Sequence, residues 1–222
     1  MTCSPFLFGG QSWVALPEGA LYWCEREALI VADLHLEKGS AFAARGQMLP
    51  PYDSLATLAD LERALARTNA RALWCLGDSL HDIAATERMT RDVLTRLADL
   101  TTRLDWTWIT GNHDPHPSPR LGGTIREEAE VDGIILRHEA HPGEKRPELS
   151  GHFHPKWRLS LRGRSVSRRC FVMDRDKLIL PSFGAFTGGL DASAPPIRSL
   201  FGERAEALVP LASRLLRFPM PA

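Results

Sequence analysis

Residues of metal-binding type punctuate this sequence at short, repeated spacings. Asp33 and His35 stand two apart, and Asp78 follows Gly77. Asn112 and His113 are adjacent within Gly111-Asn112-His113-Asp114; His138 stands alone, and His152 and His154 are again two apart. Two carboxylates, an amide oxygen and several imidazoles make a mixed nitrogen and oxygen donor set without a cysteine, which suits two divalent ions. His113 adds a group that gives or takes a proton near neutral pH. Each residue alone has a plainer reading. An Asp after a strand caps a turn, an Asn after a Gly is turn chemistry, and a His-x-His pair occurs on many surfaces. The joint pattern carries the argument, because every one of these groups sits where an apolar run ends.

Those runs define the elements that must position them. Ser12–Leu16 and Ala20–Trp23 predict an opening hairpin around Pro17-Glu18-Gly19. Leu29–Ala32 is a continuous apolar run that predicts a strand buried on both faces, and Leu73–Leu76 and the aromatic, β-branched Trp106–Ile109 predict two more strands. If the first of these continues, Asp33 and His35 point to one side. Between the strands, Leu55, Leu58, Leu61 and Leu65 predict a helix from Asp53, as N-cap, to about Arg67. Met89, Val93, Leu94, Leu97 and Leu100 predict another. Further strands are expected at Ile134–Arg137, around Leu149, at Trp157–Leu161, at Ser167–Met173 and at Leu178–Leu180. A short helix from about Arg204 to Leu216 and a frayed end at Pro219–Pro221 complete the expectation. Strands alternating with helices give an α/β protein whose ligands bind at the carboxyl ends of strands.

A chain of 222 residues is expected to form a single domain, 1–222, with a substantial core. No apolar run is long enough to span a membrane and no secretory leader is legible, so a cytoplasmic protein is expected. Cys3, Cys24, Cys75 and Cys170 are scattered and predict reduced thiols. Basic and acidic residues balance at 27 each, yet Lys156–Lys177 carries a net +6 and the remainder −6. That basic ribbon is a solvated hairpin face or, beside a phosphate-handling site, a track for a polyanion.

Asp33-Leu34-His35, Gly77-Asp78, Gly111-Asn112-His113-Asp114, His138 and Gly151-His152-Phe153-His154 together resemble the ordered motifs of the calcineurin-like metallophosphoesterases. The resemblance implies a four-layer α-β-β-α sandwich with two mixed β-sheets. It implies one metal on Asp33, His35, Asp78 and His154, and a second on Asp78, Asn112, His138 and His152. Asp33-Leu34-His35-Leu36-Glu37-Lys38, Phe42, Arg45-Gly46, Pro50 and the Pro181–Gly189 stretch are similar to a narrower clade, the ligase-associated DNA damage response metallophosphoesterases of bacteria. That likeness implies a manganese-dependent DNA endonuclease tied to a repair ligase. Glu37 departs from the pattern, where glycine is expected, and bears on local loop shape. Asp78-Ser79-Leu80-His81-Asp82 is unlike the protein phosphatases, which place Asp and Arg-Gly there, and is similar to the double-strand-break repair nucleases.

The expected reaction is phosphodiester hydrolysis by a metal-bridging hydroxide. His113 would contact the phosphate and protonate the leaving oxygen; His81 would be a second phosphate contact or donor. Asp82 is either a histidine partner or a turn carboxylate. The expected cofactor is two Mn2+, with iron or zinc also suited to the ligands. The expected substrate is single-stranded or flap DNA. Candidate substrate contacts are Lys38, Arg45, Arg162, Arg164, Phe183 and Phe186, the two phenylalanines by base stacking, with core packing as the rival role. His116 and His141 have no assigned role, and the oligomeric state is left open, a homodimer included. Two alternatives are a phosphatase or phosphodiesterase for a small nucleotide or lipid ester, and a noncatalytic scaffold. Retention of all the candidate ligands speaks against the scaffold.

Overall fold

The computed structural model describes residues 5–161 and 163–221, so the candidate contact Arg162 lies outside the described residues. The first sheet opens with β1 Phe6–Phe8, β2 Gln11–Ala15, β3 Leu21–Trp23 and β4 Ala28–Val31, each antiparallel to the one before. The expected hairpin is β2–β3, closed by the Leu16 N–H donating to the Ala20 carbonyl at 2.8 Å. Then come α1 Lys38–Ala43, α2 Asp53–Thr68, β5 Ala72–Leu76, α3 Ala85–Arg88, α4 Arg91–Arg103, β6 Asp105–Ile109 and β7 Thr124–Arg126. Strands β4 to β7 run parallel, and the sheet order follows the chain.

The second sheet uses β8 Ala129–Val131, β9 Ile134–Leu136 and β10 Glu148–Ser150. The chain then leaves it for an antiparallel ribbon, β11 Lys156–Leu161 with β12 Arg164–Arg169. It returns as β13 Phe171–Met173 and β14 Lys177–Ile179, then passes through α5 Pro195–Arg198 to β15 Glu206–Pro210 and β16 Leu215–Pro219. The order is β16-β15-β13-β14-β10-β9-β8, with β9, β10 and β14 parallel.

Three apolar layers bind these pieces. Leu58, Leu61 and Leu65 of α2 and Val93, Leu97 and Leu100 of α4 recur at helical spacing and pack on Leu29, Val31, Leu73 and Cys75 of the first sheet. The opposite face of that sheet, with Trp13, Trp23, Ile30 and Ile109, meets Leu136, Leu149, Phe171 and Leu178 of the second. The outer face of the second sheet is covered by Ile197 of α5 and by Phe201. The result is an α-β-β-α sandwich with two mixed sheets and a thin fourth layer.

Several expectations are corrected. The segment from Arg204 to Leu216 is not helical: β15 pairs with β13 and β16, and Ala207–Pro210 is a continuous apolar run buried on both faces of the sheet. The end is not frayed there, since Pro219 sits in β16 and the Met220 N–H donates to the Ala205 carbonyl at 2.9 Å. Ser167–Met173 is two strands, because the chain changes partners at Cys170. Tyr52, not Asp53, is the N-cap of α2; the Asp53 carboxylate instead accepts from the Gly39 N–H at 2.9 Å. Leu94 lies on the solvent side of α4.

Candidate metal centre

Five parallel strands, β4, β5, β6, β9 and β10, deliver their carboxyl ends to one edge of the sandwich, and the sequence-picked residues follow them. Strand β4 does not continue through Asp33 and His35. Both are in left-handed backbone, with φ of 53° and 44°, as are Asp78, His152 and His154 at 47°, 69° and 49°. Such residues cost on the order of 1–3 kcal/mol each and persist only where surroundings hold them. Here the holding is explicit. The His35 N–H donates to the Asp78 carbonyl at 2.9 Å, and the Gly151 N–H donates to that of His138 at 2.8 Å. The His152 N–H reaches the Asp33 carboxylate at 3.0 Å across the two sheets.

The side chains converge on two neighbouring points. Around the first, His154 Nε2 lies 3.4 Å from Asp33 Oδ1 and 3.4 Å from His35 Nε2, with Asp78 Oδ2 3.9 Å from His35 Nε2. Around the second, His138 Nε2 lies 3.5 Å from Asp78 Oδ1, 2.9 Å from Asn112 Oδ1 and 3.1 Å from His152 Nδ1. Asp78 thus faces both. His138 Nδ1 donates to the Leu76 carbonyl at 3.0 Å, which fixes the tautomer and leaves Nε2 bare. Nε2 then faces Asn112 Oδ1 and His152 Nδ1, three atoms of ligand type that converge on one point. Burial, with help from His154, His113, His81 and Lys38, holds the His35 pKa down to about 2, so the ring is neutral, as a ligand must be. The donor set and its geometry fit divalent metal ions.

His113 stands beside the first point and is solvent-exposed, its ring 5.0 Å edge-on from that of His35. Its N–H donates to Asp78 Oδ1 at 2.9 Å, and its Nδ1 donates to the His81 carbonyl at 2.8 Å. That second bond assigns the proton to Nδ1 and leaves Nε2 outward. The His81 ring stacks on His113 at 5.3 Å. Burial, then His113, Lys38 and Arg45, against Asp82, draw the His81 pKa down to about 4.

Two acidic residues escaped the sequence reading as builders of the site. The fully buried Asp114 accepts from the Ser79, Leu80 and Gly111 N–H groups at 2.8, 3.0 and 3.0 Å, tying the loop after β5 to the loop after β6. Burial pushes its carboxyl up to about 6 despite those donors. Gly111 is required beside it, because a Cβ there would overlap the Asp78 backbone nitrogen and carboxylate. Glu37 is buried with φ 66°, a conformation glycine adopts freely, and its carboxylate accepts from Ser54 and Ser40 at 2.8 and 2.7 Å. Ser40 in turn accepts from Arg88, which also holds Asp82 at 2.8 Å. Asp82 is therefore an ion-pair and turn carboxylate.

The other candidates divide. Lys38 is half-buried, 5.8 Å over the Phe42 ring, and close enough to His35 and His81 to depress both; Arg45 is exposed near His81. Phe183 is fully buried in the helix-side core and cannot stack on a base, which corrects that assignment. Phe186 is half-buried beside Tyr52, 6.0 Å between rings. Arg164 pairs with Leu161 at the tip of the β11–β12 ribbon, the end remote from His154. The basic segment Lys156–Lys177 is not uniformly free. Lys177 is buried on Glu148 at 2.8 Å, and Arg169 donates to the Glu18 and Gly184 carbonyls. His141 serves a turn, its Nδ1 accepting from the Gly143 N–H at 3.2 Å, and His116 is exposed.

The sequence model of the calcineurin-like phosphoesterases matches residues 28–167, a span that contains every candidate ligand. The chain belongs to this family. As a calcineurin-like phosphoesterase it is a phosphoester hydrolase of a family that works with divalent metals. Among solved structures it is similar to the Pseudomonas putida nuclease MPE, with 33% identity, a TM-score of 0.75, and coverage of 97% of this chain and 99% of that one. Yfce, a phosphoesterase from E. coli, aligns at 16% identity over 73% of this chain and 83% of its own, with a TM-score of 0.41. No curated protein matches the sequence. Among the described residues, no helix is long and apolar enough to cross a membrane.

Proposed function

We propose that this calcineurin-like phosphoesterase is a two-metal DNA endonuclease that cuts single-stranded or flap-like DNA. The observation that carries the reading is the pair of ligand clusters sharing Asp78, with His113 exposed beside them. Likeness to a nuclease across nearly the full length supports the nucleic-acid substrate. Asp33, His35, Asp78 and His154 would hold one ion, and Asp78, Asn112, His138 and His152 the other. Such ions, with manganese the proposed metal, supply Lewis acidity and an ionised water at neutral pH. The chain's own residues do the rest. Asp33 and Asp78 balance part of the ionic charge, so a singly charged diester is still attracted. His113 presents Nε2 to the phosphate and, when protonated there, donates to the leaving oxygen. His81 adds a second contact to a phosphate oxygen, and Lys38 and Arg45 extend the positive field toward flanking phosphates. A role in DNA repair beside a ligase, in the cytoplasm, belongs to the same reading and rests on the sequence likeness.

Purified protein incubated with circular single-stranded DNA and Mn2+ tests it, because a circle has no ends and only an endonuclease opens it. The wild type should linearise and then degrade the circle, and a chelator should abolish cutting. His113→Ala should retain its metals and lose about 10²- to 10⁴-fold in kcat, the share of a general acid. Intact circles beside brisk hydrolysis of a small nucleotide or lipid ester would keep the metal site and overturn the substrate.

A further inference from the structure

The edge of the sandwich holds more than ligands. Beside them opens a cleft of about 390 Å³ lined by His152, Phe153, His154, Gly189, Leu190 and Pro196. The two histidines are candidate ligands, so anything in the cleft lies against the phosphate site. The remaining walls are apolar: Phe153 is half-buried, and Leu190 and Pro196 are exposed. Among the described residues, no carboxylate, ammonium, amide or hydroxyl side chain lines it.

The cleft is also held open by the fold. The Lys156 N–H donates to the Leu190 carbonyl at 2.8 Å, and the Ala192 N–H donates to that of Lys156 at 2.9 Å, so the 190–192 segment is pinned to the start of β11. Gly189 passes so close to the His154 carbonyl that a Cβ there would overlap it. Phe153 is fixed edge-to-face against His152, with ring centroids 4.9 Å apart at 90°, and packs on the outer core of the second sheet. An exposed leucine that is hydrogen-bonded in place beside a catalytic metal centre is a wall, and the flat apolar group expected next to a scissile phosphate in DNA is a base.

We propose that this cleft is a nucleobase subsite, which takes one unpaired base from a nucleotide flanking the scissile phosphate. The proposal rests on the nuclease reading above and gives it a physical cause for strand selection. A base in duplex DNA is paired and stacked and enters only by flipping out, whereas a single strand offers it freely. With no side-chain amide or hydroxyl to read base edges, the subsite tolerates any base and uses its apolar surface.

The test uses single-stranded oligonucleotides carrying one cleavable linkage, with an abasic nucleotide placed on either side of it, and Mn2+. Wild-type protein should lose about tenfold in kcat/KM when the base on one side is missing and little when the other is. In Leu190→Ala and Phe153→Leu the ratio of intact to abasic rates should fall toward one, with melting temperature and manganese content measured alongside. If Phe153→Leu does not fold, Leu190→Ala alone decides. Equal cutting of intact and abasic substrates on both sides, or a ratio unmoved in Leu190→Ala, would overturn the subsite while leaving a nuclease. If the wild type hydrolyses bis(p-nitrophenyl) phosphate and cuts no oligonucleotide at all, the nuclease reading falls and the subsite with it.

Discussion

Glu37 occupies a backbone conformation that glycine would take without strain, and two serine hydroxyls hold its carboxylate there. Removing the carboxylate while keeping a Cβ leaves the strain and discards the bonds. Glu37→Ala should therefore lower stability by roughly 2 kcal/mol, and Glu37→Gly by less, since glycine returns about 1 kcal/mol. The ordering of the urea midpoints checks this. Asp114 poses a sharper case, because three buried N–H groups depend on it. Asp114→Ala should cost about 3 kcal/mol or more and weaken manganese binding about tenfold, read by urea melts and metal titration. The candidate ligands that the fold brings together were legible because coordination accepts few residue types and the chain repeats them at strand ends. Asp114 and Glu37 were not, because a carboxylate that accepts from backbone or serine has no distinctive spacing. Phe183 misled for a related reason: a phenylalanine beside glycines reads alike whether it faces solvent or core, and only packing distinguishes the two.

At the scale of elements, the long periodic stretches read true. Helices α2 and α4 bury residues at 3–4 spacing, β4 and β5 are continuous apolar runs, and β6 buries Trp106–Ile109 after an exposed Asp105. Three-residue strands such as β1, β7 and β8 are too short for any period to emerge, and β7 is wholly exposed. The carboxyl-terminal hairpin reads as a helix in sequence because leucine and alanine favour helix, and the pairing with β13 that overrides that propensity is remote in sequence. That pairing makes a prediction. β15 lies between β13 and β16, so its ladder amides should exchange with solvent only on global unfolding. A helix there, packed on nothing but the sheet surface, would exchange by local fraying. Amide hydrogen exchange of Ala207 and Val209 against that of Leu73 and Cys75 in β5 separates the two.

For the molecule as a whole, ligand and fold energies are linked. Four candidate ligands, Asp33, His35, Asp78 and Asn112, follow strands of the first sheet, and three, His138, His152 and His154, follow strands of the second. One ion present at a hundredfold its dissociation constant adds about 2.7 kcal/mol. For a chain of this size that is about 5–10 °C in melting temperature. Thermal melts with manganese and with excess chelator should differ by at least that much, and Asp78→Ala, facing both points, should abolish the difference. Each ion would also bridge the sheets, joining groups such as His35 and His154 that stand 119 residues apart. The seam that performs the chemistry is then the clasp of the sandwich. Pulled apart by its two sheets, the loaded protein should yield in one high-force rupture, and the chelated protein should first gape at the clasp.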